Sequence, residues 1–115
     1  MELSDRIYEK VRKFSDQGND HMERDEWSEA IAAFSSALEL LPPPIEQWEA
    51  ATWLYGSIGD AYFMSQAYPE ARDAFLDAYN CPGGASNPFI LLRLGEVCLE
   101  SLDEEKAKNY LLQAY

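Results

Sequence analysis

Three glycines set the frame of this chain. Gly18 is followed by Ala30, Phe34 and Ala37; Gly59 is followed at the same intervals by Ala71, Phe75 and Ala78; Gly95 is followed by Ala107, Leu111 and Ala114. Four positions ahead of each glycine stands a bulky residue, Phe14, Tyr55 or Leu91, and three positions after it comes His21, Tyr62 or Cys98. The glycines lie 41 and 36 residues apart, a period that signals a helical repeat array. Small residues at fixed places predict pairs of antiparallel helices in close approach, the glycine of one against the alanine of the other.

The second copy reads Tyr55-x2-Ile58-Gly59-x2-Tyr62, then Ala71-x3-Phe75, with Pro82 beyond it. This resembles the tetratricopeptide (TPR) signature W-x2-L-G-x2-Y, A-x3-F, P. The first copy keeps Gly18, Ala30, Phe34, Ala37 and Pro42 but has Gln17 where a large apolar residue is usual; the third keeps Leu91, Leu94, Gly95, Ala107 and Ala114. Against a family spacing of 34 residues, the first interval carries about seven extra, assigned to the segment PPPIEQW. The resemblance covers nearly the whole chain. It implies an all-α, right-handed superhelical array of three TPR-like helix-turn-helix repeats, six helices in one domain over 1–115. The repeats fall at about 4–42, 46–82 and 87–115, and no cap helix follows the last.

Local signals place the helices. Ser4 is the expected N-cap of a first helix running to about His21, with Ile7, Val11 and Phe14 on its apolar stripe. A second, about Asp25 to Leu40, puts Trp27, Ala30, Ile31, Phe34, Ala37, Leu38 and Leu41 on one face and stops at Pro42-Pro43-Pro44. Ile45, Trp48, Ala51 and Tyr55 recur at helical steps, which predicts a third helix from near Glu46 to Met64. Pro69 suits the first turn of a fourth, ending near Asn80, and Asn87-Pro88 opens a fifth that runs to about Ser101. Asp103 is the expected cap of the sixth, with Leu102 and Ala107 as a hydrophobic staple. Arrays of this kind need a polar terminal face. The sixth helix shows none. The expectation is therefore a polypeptide that is part of a longer one, a homodimer formed through the uncapped C-terminal helix, or a partner lying over it.

Charge narrows the partner. The chain carries a net charge of −12, with a pI near 4.3, which argues against nucleic acid and anionic membrane, since both need a positive footprint. From Asp25 to Leu92 the only basic residue is Arg72, against ten acids. No stretch approaches the run of about 18 apolar residues that spans a bilayer, and the N-terminus lacks an apolar signal core, so the expected location is the cytoplasm. His21, the single histidine, and Cys98 fall at a position that packs between helices. Cys81 lies in a Pro-Gly turn and is expected to be exposed, with no base beside it in sequence. There is no phosphate loop, no metal spacing and no nucleophile motif. The chain reads as a non-enzyme without cofactor.

A second stripe on the first helix of each repeat faces away from its partner helix. It holds Trp53, Gly56, Asp60 and Phe63 with Met64 beside them; Phe89, Leu92, Glu96 and Leu99 with Glu100; and Arg12, Ser15, Asn19 and Met22 with Glu23. In TPR proteins these positions line the concave groove that grips a partner. The alternative is that the aromatics are further core. The carboxylates of Asp60, Glu96 and Glu100 favour an open face, because unpaired acids are almost never fully buried. The candidate partner-binding set is Asn19, Met22, Trp53, Asp60, Phe63, Met64, Phe89, Leu92, Glu96, Leu99 and Glu100. An apolar groove with acidic studs suits a basic protein segment or a basic toxin domain. Some TPR modules hold a C-terminal carboxylate with Lys and Asn. Here Asn19 matches, Ser15 replaces the Lys, and no replacement cation is expected.

In size and acidity the chain is similar to small bacterial TPR proteins encoded beside polymorphic toxins, which implies an immunity-type inhibitor that masks a basic toxin. A class II type III secretion chaperone and a scaffold or adaptor subunit are the alternatives. The neighbouring gene separates the first two: a large toxin favours immunity, a hydrophobic translocator favours a chaperone.

Overall fold

The computed structural model describes residues 3–100 and 104–114. Among them run six α-helices: α1 (Asp5–Glu23), α2 (Trp27–Glu39), α3 (Glu49–Met64), α4 (Tyr68–Tyr79), α5 (Pro88–Glu100) and α6 (Glu104–Ala114). Sequence neighbours pack in pairs, α1 with α2, α3 with α4 and α5 with α6, and α2–α3 and α4–α5 contacts stack one pair on the next. The molecule measures 44 × 32 × 20 Å. Its thinnest dimension is two helix diameters, which is what stacked hairpins give. The expected all-α repeat array is present.

The glycines do more than let two helices approach. A Cβ built on Gly59 would stand 2.7 Å from the Phe75 ring, and one on Gly95 would stand 2.6 Å from Leu111; at Gly18 it would run into Phe34. Each glycine is thus a socket for the large residue sixteen positions later, and at Gly95 the backbone of Ala107 also comes within 3.4 Å. Ala30, Ala71 and Ala107 are fully buried, as small residues at a helix interface are. A buried ring demands more room than a methyl group, and only a missing side chain provides it.

Two apolar clusters result. The first gathers Phe34, Leu38, Leu41, Trp48, Leu54 and Ile58, and the second gathers Phe75, Ile90, Leu94 and Val97; Tyr55 and Tyr62 on α3 pack against both. The repeats therefore share one continuous interior through α3.

The turns repeat as the helices do. Asp25 and Gln66 both adopt positive φ, 58° and 67°, seven residues after their repeat glycines. Glu26 N–H donates to His21 O and Ala67 N–H to Tyr62 O, each at 2.9 Å. Helix starts follow the expected chemistry at two places. Ser4 Oγ accepts from Ile7 N–H at 3.3 Å, and Asn87 Oδ1 accepts from Phe89 and Ile90 N–H at 2.9 and 3.3 Å. Asp103 and Leu102, the expected cap and staple of α6, lie outside the described residues.

The proline segment departs from expectation. Ile45–Gln47 forms a 3-10 turn, Trp48 is extended, and α3 starts only at Glu49. The cause is Trp48. Its side chain turns inward until it is 7% exposed, and its indole N–H donates to Pro42 O at 2.7 Å. That bond folds the segment back on itself and breaks the helical run.

Candidate partner-binding groove

Helices α1, α3 and α5 bring several of the expected stripe residues together. Asn19, Met22 and Glu23 on α1, Trp53 and Asp60 on α3, and Phe89 on α5 line one cleft of about 600 Å³. Gly56 lies on its floor, where a Cβ would stand 3.1 Å from Ile90. Thr52, 3% exposed, is part of the same wall. Its hydroxyl donates to Pro82 O at 2.8 Å and ties α3 to the loop before α5.

The candidate residues do not all share one environment. Trp53 is 60% exposed, Met64 49%, Leu99 48% and Phe89 41%. Asn19 and Glu100 are exposed, Leu92 is half-buried, and Met22 is half-buried against the first core cluster. Phe63 is half-buried, with its ring edge-on to Tyr68 at 5.6 Å. The alternative of a sealed aromatic core therefore fails for Trp53 and Phe89 and holds in part for Phe63.

Arg93 changes the electrostatics. It sits one place beyond the α5 stripe, but its side chain reaches Asp60 and Phe89, which line the cleft. Its guanidinium carbon lies 4.8 Å from the Phe63 ring centre and 5.4 Å from that of Phe89. Nη2 stands 3.1 Å from Asp60 Oδ1, and Nη1 donates to Glu96 Oε2 at 3.3 Å. The Asp60 contact is an ion pair off the line of a hydrogen bond, and Arg93 Nε is buried without an acceptor among the described residues. The expectation of a groove without a cation is thereby corrected. Two of its three expected acidic studs are already paired inside the chain. The available signal was the Arg93–Glu96 spacing of three, which places a cation beside a stripe carboxylate.

Two other expectations change. Cys81 is buried, 6% exposed, rather than open in its turn. Burial pushes its thiol pKa up, and Glu46 and Asp77 push it further, so it is a poor nucleophile. Cys98 is buried as expected. His21 is half-exposed, and its Nδ1 lies 2.9 Å from Glu26 Oε1 across the α1–α2 turn. It braces that turn instead of sitting sealed between helices.

Among solved structures, the chain is similar to the second TPR of Spaghetti (RPAP3) bound to the HSP90 peptide SRMEEVD, with a TM-score of 0.78 over 91% of this chain and 89% of that one. The fold is TPR-like. Sequence identity in that comparison is 19%, so the likeness concerns the fold. Neither a family model nor a curated protein matches the sequence. No described helix of this TPR-like array is long and apolar enough to cross a membrane. Among the described residues no cluster of histidine, cysteine and acidic side chains is arranged to hold a metal ion.

Proposed function

We propose that this TPR-like chain is a non-catalytic protein-interaction module whose inner groove binds a basic, apolar-anchored segment of another protein. The groove comprises Asn19, Met22, Trp53, Asp60, Phe63, Met64, Phe89, Leu92, Glu96, Leu99 and Glu100. One observation carries the reading: Trp53 stands 60% exposed on the inner face while Phe34 and Phe75 at the helix interfaces are fully sealed. A large aromatic held open beside Phe89 is the kind of anchor that dominates protein interfaces.

The structural neighbour is bound to the peptide SRMEEVD, which bears three acids. This groove is poorly suited to such a ligand. The nearby cation, Arg93, already faces Asp60 and Glu96, and Glu23 adds a further acid to the cleft. With the net charge of −12, that balance favours a basic segment. An immunity role against a basic toxin is the use of this surface that we propose first, with a secretion chaperone or scaffold as the alternatives. A second copy packing on the face of α6 that carries Leu112, 65% exposed, belongs to the same reading.

Selection of a random peptide library on the immobilised protein tests it. We expect enriched peptides to pair an aromatic or aliphatic anchor with Lys or Arg. Their affinity should fall as salt rises, and by at least tenfold in Trp53→Ser. Enrichment of acidic peptides, or full binding by Trp53→Ser, would overturn it.

A further inference from the structure

A second cleft, of about 790 Å³, opens between the start of α1 and the start of α3. Leu3, Asp5, Tyr8, Glu49, Trp53 and Pro82 are among the residues that line it. Trp53 also lines the groove cleft, so the two clefts meet at one indole. We propose that this second cleft is a cation subsite that seats an arginine side chain of the bound polypeptide. The proposal rests on reading the groove as a polypeptide-binding surface and extends that surface past Trp53.

The chain itself shows how it holds a guanidinium. Arg93 is flanked by two rings, Phe63 and Phe89, and two carboxylates, Asp60 and Glu96. The second cleft presents the same chemistry: two rings, Tyr8 and Trp53, 54% and 60% exposed, and two exposed carboxylates, Asp5 and Glu49. Among the described residues no lysine or arginine lines it. Lys10, Arg12 and Lys13 of α1 line a separate cleft with Glu9 and Asp16. Neither Asp5 nor Glu49 has an ion pair among the described residues.

Each of these acids opens its helix, α1 or α3, where it complements the helix dipole. A helix start is worth only about half a positive charge, so two full carboxylates leave the cleft negative. An aromatic face adds attraction for a cation, more for the planar guanidinium than for a compact ammonium.

The test uses a probe small enough to occupy this cleft alone, N-acetyl-arginine amide, titrated into the full chain by NMR. Its neutral counterpart, N-acetyl-citrulline amide, is the control. We expect the Tyr8 and Trp53 ring signals to shift saturably with the arginine probe and at least fivefold less with citrulline. Glu49→Gln should weaken the arginine probe at least threefold, and Phe89→Ala should leave its affinity within twofold. Asp5→Asn serves as the second variant should Glu49→Gln fail to fold. Equal shifts from both probes, or full affinity in the folded carboxamide variant, would overturn the subsite. Peptide selection that fails while this probe binds counts against the groove reading alone; the reverse pattern counts against the subsite alone.

Discussion

Gly59 has no side chain because the Phe75 ring occupies the place where one would begin. A methyl group there would sit 2.7 to 2.9 Å from three atoms of a fully buried ring, and a ring sealed at the helix interface has little freedom to retreat. Overpacking of this kind costs about 1–3 kcal/mol, while replacing a mid-helix glycine returns roughly 1 kcal/mol of helix propensity. The clash spans three atoms of a rigid group, so packing wins. Gly59→Ala should lower stability by up to about 2 kcal/mol in urea denaturation, and adding Phe75→Leu should recover part of the loss. A stabilised Gly59→Ala would mean that the pocket is looser than its distances say. The sequence made the need for a small residue legible through its recurrence. It did not show that the ring stands nearest to Gly59, because ring and alanine recur with the same period.

At the scale of the element, helix identity was readable and helix ends were readable only where a local cap set them. Asn87 is such a cap, and the bonds from its side chain are short-range. Asn87→Ala removes an acceptor from two backbone N–H groups at the start of α5 and should cost about 1 kcal/mol. Asn87→Asp should keep most of it. Thermal or urea unfolding of the two variants side by side checks this, and equal loss in both would rule out the cap as the cause. The start of α3 was not readable in this way. Ile45, Trp48 and Ala51 have helical spacing whether or not the backbone follows, and the break at Trp48 is fixed by its bond to Pro42 and its burial. The positive φ of Asp25 and Gln66 was equally hidden, since neither is glycine. Their common offset from Gly18 and Gly59 was the only available signal.

For the molecule as a whole, the stacking order follows from a pattern written locally in each repeat, whereas the charge of the groove depends on one side chain crossing between repeats. Arg93 belongs to α5, yet it meets Asp60 and Phe63 on α3, so it braces the third hairpin against the second and hides charge from any ligand. Its side chain is 23% exposed and that of Asp60 is 25%, which places the pair between surface bridges, worth about 0–1 kcal/mol, and buried ones, whose loss costs about 3–5. Arg93→Met should therefore lower stability by about 1–2 kcal/mol, and Asp60→Asn in the same chain should recover some of it. The binding effect should run the other way. Freed of their internal cation, Asp60 and Glu96 become available to a partner's lysine or arginine, so a basic peptide selected on the wild-type protein should bind Arg93→Met several-fold tighter at low salt, with a steeper loss as salt rises. Urea unfolding and peptide titration at two ionic strengths measure both effects. Weaker binding by the folded variant would show that Arg93 shapes the groove for its ligand instead of competing with it.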